Sequence, residues 1–348
     1  MKSYYKITSL NWKKILAISL FPLMFQACET DSPQGQDTKE PTTSTPVQTV
    51  KVPDFSADSA YAFIEKQLSF GFRIPGTVGQ EKCAAWMATM LKLHCDTLYV
   101  QKTKVKAGNA QMLPCINLIG AIHPQAKNRI LLLTHWDSRP WADQDDSAAN
   151  KPIMAADDAA SGVGVLIEMA RLLKSQNISK DWGIDIFFTD VEDYGKTEWG
   201  EESYCLGTQY WAKNLHVPQY KANFGILLDM VGARGATFPI EMISAQYAAN
   251  IQKDIYQAAH RAGYSSFFPF IQGPAITDDH KFVNELVGIP TVDIINLSTD
   301  GVTPFKRHWH THDDNINIID KNTLKAVGQS LLQFIYETTA EKPNAPAS

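Results

Sequence analysis

The sequence is poor in cysteine and lacks any concentration of positive charge. Only 5 of the 348 residues are cysteine, and none forms the CxxC pair that is typical of structural zinc sites. The net charge of −5 comes from mixed signs with no block of Lys and Arg, so no footprint for nucleic acid is present. These absences exclude a cysteine-based metal site and a nucleic-acid-binding protein. Disulfide pairing of Cys83, Cys95, Cys115 and Cys205 stays open.

The sequence also has no apolar run near its start that is long enough to span a bilayer permanently. The run at residues 15–25 follows two lysines and has the length of a signal-peptide core. It leads into Gln26-Ala27-Cys28, which resembles a bacterial lipobox, although Phe25 stands where Leu is usual. The resemblance implies a lipoprotein signal peptide over residues 1–27 and a lipid anchor on Cys28; the alternative is ordinary cleavage beside an unmodified cysteine. The protein is then expected to be an exported bacterial lipoprotein, anchored to a membrane and facing the periplasm or the cell surface.

Two polar segments flank one long folded region. Residues 29–50 are rich in Pro, Thr, Ser, Gln and Asp and have almost no large apolar side chains, so they cannot bury enough surface to fold. We therefore expect residues 28–52 to be the lipidated cysteine with a flexible tether, and residues 341–348 to be a disordered tail. Residues 53–340 form the expected zinc-dependent catalytic domain, and a chain with 44% hydrophobic residues can bury a full core.

Apolar runs alternate with helical patterns through this domain. Residues 130–133 and 224–228 are apolar throughout and residues 184–188 are apolar except for Asp185, while residues 247–262 and 279–286 have helical periodicity. Continuous apolar strands between helices favour a mostly parallel sheet that is covered on both faces. The predicted fold class is therefore α/β: a single domain with an open, mostly parallel, twisted sheet and helices on both faces. Ligands in such folds bind at the carboxyl ends of the strands.

Two adjacent carboxylates, Asp157 and Asp158, stand in a run of small residues directly before a helical pattern. They repel each other unless a cation, a proton or the N-terminus of the helix offsets their charge. One of them could cap the helix or support the turn, or the pair could contribute to a divalent metal site.

Acidic residues or histidines follow several of the predicted strands, which favours the metal site. In chain order they are His135 and Asp137, then Asp190, Glu192 and Asp193, then Asp229, then Asp293, with His308, His310 and His312 in a later loop. A catalytic zinc takes three protein ligands from His, Asp and Glu and keeps one position open. The pattern predicts a site built from Asp158, one carboxylate of the Glu192 and Asp193 pair, and one histidine of the loop. The second carboxylate of the pair would be free to move protons.

Five motifs carry a more specific resemblance. They are His135-Trp136-Asp137, the segment from Asp157 to Gly162, Glu192-Asp193, the segment from Asp229 to Gly232, and the segment from Trp309 to Asn315. In this order and spacing they resemble the zinc aminopeptidase superfamily and, within it, the animal-type glutaminyl cyclases (glutaminyl-peptide cyclotransferases) and their bacterial relatives. The resemblance covers about residues 55–336. It implies an acyltransferase that uses zinc to cyclise the N-terminal glutamine of peptides and proteins to pyroglutamate, with release of ammonia.

The resemblance also implies the metal ligands and the proton carriers. Asp158, Asp193 and His310 would hold one Zn²⁺ per chain, although Asp193 replaces the Glu of the animal enzymes. Glu192 would be the general acid and base, beside a hydrogen-bonded network of Asp229 and Asp278.

Aromatic residues are expected to bind substrate. Trp309 and Trp199 match aromatic residues of the cyclase pocket, and Trp136 falls in a loop at the same edge of the sheet. Asp293 stands where the animal enzymes carry a histidine, which leaves its role open. Arg139 and Asp143, close to the first motif, fit either a brace for the loop or a substrate contact.

Two other functions compete with cyclisation. An exported aminopeptidase with two zinc ions would use His135, Asp158 and Asp229 for the second ion, unless Asp278 draws Asp229 away from it through a shared proton. A binding lipoprotein without catalysis is the third reading, and an intact Glu192 beside a full ligand set argues against it. The expected partners are peptide or protein N-termini that carry Gln, and a membrane through Cys28. The expected state is a monomer.

Overall fold

Among the residues that the structure describes, a mixed sheet of six strands forms the centre of the fold, in the order β1-β2-β4-β3-β5-β6. The strands are β1 (Thr97–Lys106), β2 (Met112–Ile122), β3 (Asn128–His135), β4 (Trp182–Thr189), β5 (Phe224–Asp229) and β6 (Thr291–Ile295). Strands β3 to β6 run parallel, whereas β1 and β2 form an antiparallel hairpin that pairs through β2 with β4. The predicted α/β sheet is confirmed, and the hairpin extends its parallel part with two antiparallel pairings.

The structure is a computed structural model that describes residues 51–176, 178–298 and 303–340. These ranges belong to one compact unit. The expected signal peptide, Cys28, nearly all of the tether and the C-terminal tail lie outside the described residues. Within the described ranges, no helix combines the length and the apolar character that a bilayer crossing requires.

Helices cover both faces of the sheet. They are α1 (Ala57–Leu68), α2 (Val78–His94), α3 (Gly162–Ser175), α4 (Leu206–Lys213), α5 (Met242–Arg261), α6 (Asp279–Phe282) and α7 (Lys321–Thr339). Leu132 of β3 packs into the larger core with α1, α2, α3, α5 and α7. Its neighbours Leu131 and Leu133 point to the opposite face and pack with Trp211 of α4. This alternation along one strand is why the apolar run is continuous.

Two helix boundaries differ from the sequence pattern. Helix α5 begins at Met242 rather than at residue 247, because the Glu241 carboxylate accepts hydrogen bonds from the backbone N–H groups of Ile243 (2.8 Å) and Ser244 (2.6 Å). Helix α6 ends at Phe282, where the chain continues as a wider turn over Val283–Val287. Gly288, with φ of +73°, ends that turn.

Strand β1 is at the edge of the sheet and carries exposed Lys102, Lys104 and Lys106. Cys83 of α2, Cys115 of β2, and Cys95 and Cys205 beside helix ends are all buried, and none of these four described residues forms a disulfide. The open question of their pairing is thereby answered.

Candidate metal centre

The acidic residues singled out in the sequence meet at the carboxyl ends of the parallel strands. His135 is the last residue of β3, Asp229 is the last residue of β5, and Glu192 and Asp193 follow β4. Asp158 lies in the turn Ala156–Ser161 that leads into α3. The parallel direction of these strands brings all five side chains to one edge of the sheet.

Asp157 supports a neighbouring loop and does not cap a helix. Its Oδ1 accepts hydrogen bonds from the backbone N–H groups of Gly232 (2.7 Å) and Ala233 (3.0 Å), which follow β5. Its Oδ2 lies 3.0 Å from Nε2 of His308. The N-cap position of α3 belongs to Ser161. Asp157 therefore joins three segments around the site, while Asp158 remains available to a cation.

Two further carboxylates hold the backbone of the two acidic pairs, and sequence reasoning gave them no role. Asp137 accepts hydrogen bonds from the N–H groups of Glu192 (3.0 Å) and Asp193 (3.2 Å). Asp314 does the same for Asp157 (2.7 Å) and Asp158 (3.2 Å). Asp137 and Asp314 are both fully buried. Asp137 and Asp314 lie inside the motifs that identified the site, but residue type alone does not distinguish a ligand from the support of a ligand.

The residues Asp158, Asp193 and His310, termed here the first ligand set, fit a zinc ion. One ligand atom from each lies within 4.8 Å of the others, and all three residues are buried. Nε2 of His310 lies 3.3 Å from Oδ1 of Asp193 and 3.8 Å from Oδ2 of Asp158. Oδ2 of Asp193 is buried and has no hydrogen-bond partner within the part of the chain that the structure describes. Two carboxylates and one imidazole around a buried oxygen without a partner are the donors that a catalytic zinc takes.

A second ligand set, His135, Asp158 and Asp229, shares one carboxylate with the first. Nε2 of His135 lies 2.9 Å from Oδ1 of Asp158 and 3.4 Å from Oδ1 of Asp229. Burial alone would lower the pKa of His135, but the carboxylates of Asp137, Asp158 and Asp229 outweigh it and raise the pKa well above its ordinary value. The arrangement can hold either a second cation or a proton on His135.

Glu192 differs from its neighbour Asp193 in its surroundings. Burial raises the pKa of Glu192 well above its ordinary value, whereas Arg139 and His310 overcome the effect of burial and hold the pKa of Asp193 below its ordinary value. The thiol of Cys205 donates to Oε1 of Glu192 at 3.2 Å. Glu192 is thus a carboxyl group that can carry a proton beside a carboxylate that stays charged.

Asp229 and Asp278 border the same space. Burial and, to a smaller extent, repulsion from Asp158 raise the pKa of Asp229 to about 7. Burial and, to a smaller extent, repulsion from Asp229 also raise the pKa of Asp278 well above its ordinary value. The charge of Asp229 therefore favours the protonated form of Asp278.

Asp293 and His280 lie behind this network. Both are fully buried, and Nε2 of His280 lies 3.1 Å from Glu241. Neither oxygen of Asp293 has a hydrogen-bond partner among the described residues. His280 is therefore a buried histidine that Glu241 holds in place.

A small cavity of about 60 Å³ opens onto the first ligand set. Besides the acidic residues and His310, it is lined by Tyr204, Ile276, Thr277, Ile295, Phe305 and Trp309. Trp309 stacks between Phe305 and His310, with ring centroids 4.1 Å and 3.6 Å away. Of the three tryptophans expected to bind substrate, Trp309 alone lines this cavity.

The other two tryptophans lie elsewhere. Trp136 is fully buried in the main core, where its Nε1 donates to the carbonyl of Ile116 (3.2 Å), so its position does not support a substrate contact. Trp199 packs edge-on against Trp141 at 5.9 Å and against the backbone of Gly108. Proximity to a strand end in the sequence does not determine which way a side chain points, and Tyr204, Phe305 and Ile276 gave no sequence signal of their own.

With the geometry defined, comparison with known proteins identifies the family. The sequence model of peptidase family M28 matches residues 117–335, which is more than half of the chain. The chain belongs to peptidase family M28.

Relatives in the M28 family include both cyclases and peptidases. The glutaminyl cyclase of Bacteroides thetaiotaomicron, solved with N-acetylhistamine, is 45% identical, with a TM-score of 0.80 over 82% of this chain and 99% of that one. A leucine aminopeptidase precursor from the same organism is 44% identical, with a TM-score of 0.78 over 83% of this chain and 99% of that one. The glutaminyl-peptide cyclotransferase of Boiga dendrophila is 26% identical over 64% of this chain, and the match spans 65% of that relative's length.

Proposed function

We propose that this M28 protein cyclises the N-terminal glutamine of peptides and proteins to pyroglutamate and releases ammonia. The observation that carries the proposal is Glu192, a buried carboxyl group with a raised pKa that lines the same cavity as the first ligand set. The similarity to bacterial and vertebrate glutaminyl cyclases supports it.

The proposed cofactor is one Zn²⁺ per chain, held by Asp158, Asp193 and His310. Family M28 and a neighbour described as a Zn-dependent exopeptidase support zinc as the metal. When bound, zinc would polarise the side-chain carbonyl of the substrate glutamine and stabilise negative charge on its oxygen. The two ligand carboxylates balance the charge of the ion, so the site stays close to neutral.

Glu192 would move the proton that the reaction requires. The α-amine of the substrate attacks its own side-chain carbonyl carbon, a C–N bond forms, and the bond to the side-chain nitrogen breaks. Glu192 takes a proton from the attacking amine and returns it to the leaving nitrogen, which departs as ammonia. Asp229 and Asp278 have raised pKa values and line the same cavity as Glu192, where they would exchange protons with it.

The walls of the cavity suit a reaction that consumes no water. Ile276, Ile295, Phe305 and Trp309 provide apolar surface beside the acidic groups. Because the nucleophile and the electrophile belong to one residue, the protein mainly has to hold the glutamine in its folded conformation. Trp309 is the proposed aromatic contact for the substrate.

Incubation with a dipeptide that begins with Gln separates this proposal from its main alternative. A cyclase releases ammonia and leaves the dipeptide bond intact, and metal analysis of the purified protein should give close to one zinc per chain. Release of the free first amino acid without ammonia, together with two tightly held ions, would instead indicate an aminopeptidase. The second ligand set and the similarity to the leucine aminopeptidase precursor are the observations that favour that alternative.

The proposal includes the place where the enzyme works. The lipobox-like segment that ends at Cys28 and the polar residues 29–50 support export and tethering of a monomeric enzyme to a membrane by a lipid on that cysteine. Metabolic labelling with palmitate should mark the wild type and not Cys28→Ala, and equal labelling would contradict the anchor.

A further inference from the structure

The segment between β3 and α3 reaches across the site to two members of the first ligand set. Arg139 in this segment has no exposed surface, which requires compensation of its charge inside the protein. Asp143, four residues later, lies on the rim with 36% of its side chain exposed. Neither residue lines the cavity described above.

Arg139 bridges Asp193 and Asp143. Its Nη1 donates to the side-chain Oδ1 (2.7 Å) and to the backbone carbonyl (3.0 Å) of Asp193. Its Nε and Nη2 donate to Oδ1 (2.8 Å) and Oδ2 (2.6 Å) of Asp143. This paired geometry is one that the planar guanidinium provides and the lysine ammonium does not.

Asp143 in turn faces His310. Its Oδ1 lies 3.1 Å from Nδ1 of the imidazole. The backbone on either side is joined as well, because Gln144 N–H donates to the carbonyl of His310 (3.2 Å) and Asp145 contacts Nδ1 of His312 at 2.9 Å. The two loops therefore meet through both backbone and side-chain contacts.

These contacts leave one ligand atom of Asp193 and one of His310 available to a cation. A carboxylate accepts but does not donate, so the 3.1 Å contact with Asp143 favours a proton on Nδ1 of His310, which leaves the Nε2 lone pair towards Asp158 and Asp193. Arg139 occupies Oδ1 of Asp193, and the Oδ2 atom is the one without a partner. The charges of Arg139 and Asp143 cancel, so the pair adds no net charge to the site.

We propose that Arg139 and Asp143 are positioning residues of the zinc site: Asp143 fixes the tautomer and orientation of His310, and Arg139 holds Asp193. The proposal rests on the first ligand set named in the proposed function. It answers the question that the sequence left open, since both residues brace the site and neither contacts the substrate cavity.

Zinc affinity tests the proposal directly. Holoenzyme is titrated with a competing chelator, and the zinc dissociation constant is measured for the wild type, Asp143→Ala and Arg139→Met. Loss of such supporting partners typically weakens metal binding about 10- to 100-fold, and we expect both variants to fall in this range. Asp143→Glu, which keeps the carboxylate, should recover most of the affinity.

Arg129→Met is the matched control. Arg129 is a buried arginine with the same paired geometry towards Asp185 (2.7 and 2.6 Å), at the opposite end of β3 from the site. It should lower the stability of the fold but leave the zinc dissociation constant within about twofold of the wild type, because no ligand depends on it.

Zinc dissociation constants within twofold of the wild type for both Asp143→Ala and Arg139→Met would overturn the proposal. If Arg139→Met does not fold, Asp143→Ala decides alone, since its side chain lies on the rim. Ammonia release is scored separately: a wild type that binds zinc but releases no ammonia refutes the cyclase function and leaves the positioning roles standing. A wild type that binds no zinc refutes both.

Discussion

Glu192 and Asp193 are neighbours in the chain with opposite electrostatic surroundings. Asp193 faces Arg139 and His310, whereas the hydrogen-bond partner of Glu192 is the weakly polar thiol of Cys205. Their environments drive the pKa values of the two carboxyl groups apart, and such a separation marks the division between a metal ligand and a proton carrier. The residues that surround each carboxyl group are thus more informative about its expected role than its identity as Glu or Asp.

Replacement of Glu192 by Gln should remove proton transfer and keep the metal. Gln has the same shape but cannot exchange a proton at this position, and general acid–base groups typically contribute about 10²- to 10⁴-fold to the rate. We expect kcat for ammonia release to fall within this range while the zinc content stays that of the wild type. His310→Ala is the contrasting variant, which should lose zinc. Unchanged turnover of Glu192→Gln would rule out its role.

At the level of single residues, the sequence predicted the acidic residues that meet at the site better than the residues that support them. Asp158, Glu192, Asp193 and Asp229 are acidic residues at the ends of apolar strands or at the start of a helix, which is a pattern visible in one dimension. The supporting contacts of Asp137, Asp314 and Arg139 join residues that are distant in the chain, and those of Asp314 span 156 and 157 positions. Only the folded chain specifies such pairings.

The strands could be predicted because burial on both faces requires apolar residues, and the same burial leaves polar residues to the strand ends, where the site lies. Strands buried on both faces are nearly continuous apolar runs, so β3, β4 and β5 were predicted correctly along with the polar residues at their ends; the buried Asp185 within β4 is paired with Arg129. Boundaries were less accurate where a side chain outside the periodic pattern controls them, as Glu241 does for α5. Trp136 shows the same limit, because the direction of its side chain depends on packing.

His216, in the loop after helix α4, is expected to make the stability of the fold depend on pH. Nδ1 of His216 accepts a hydrogen bond from Nε1 of Trp211 (3.0 Å), and burial lowers the pKa of His216 to about 4. The neutral form is favoured in the folded state, so its contribution is fully present above the unfolded pKa of 6.5 and is lost as the pH falls towards 4. The loss should reach about 2 to 3 kcal/mol.

Urea unfolding of the wild type and of His216→Gln at pH 7 and at pH 4.5 measures this effect. Gln can accept the same hydrogen bond but does not titrate in this range. We expect the difference in unfolding free energy between the two proteins to shift in favour of the variant at the lower pH. An unchanged difference would show that His216 is not responsible for acid sensitivity.

For the whole molecule, the metal is expected to act as a ligand of the native state. Asp158, Asp193 and His310 come from three separate parts of the chain and meet only when it is folded. Zinc at 100 times its dissociation constant would stabilise the fold by about 2.7 kcal/mol, which for a domain of this size corresponds to a shift in Tm of about 4 °C. Chelation should lower Tm by this amount and zinc should restore it. A Tm that does not respond to chelation in a zinc-containing sample would contradict a site assembled by folding.

The overall architecture could be predicted from composition and periodicity. A parallel sheet that helices cover on both faces requires many apolar residues and an alternation of strand and helix patterns. The antiparallel β1 and β2 hairpin was the part of the sheet whose direction the pattern left undetermined. Its strands were anticipated, but the order of strands in a sheet depends on connections that periodicity does not encode.

That hairpin has a consequence for how the protein behaves at high concentration. The outer side of β1 offers unpaired backbone N–H and C=O groups, which is the usual starting point for strands of other molecules to add on. Lys102, Lys104 and Lys106 place three ammonium groups along this border, and a second copy joining there would bring like charges together. The lysines are thus expected to disfavour edge-to-edge aggregation, as charged residues on edge strands generally do.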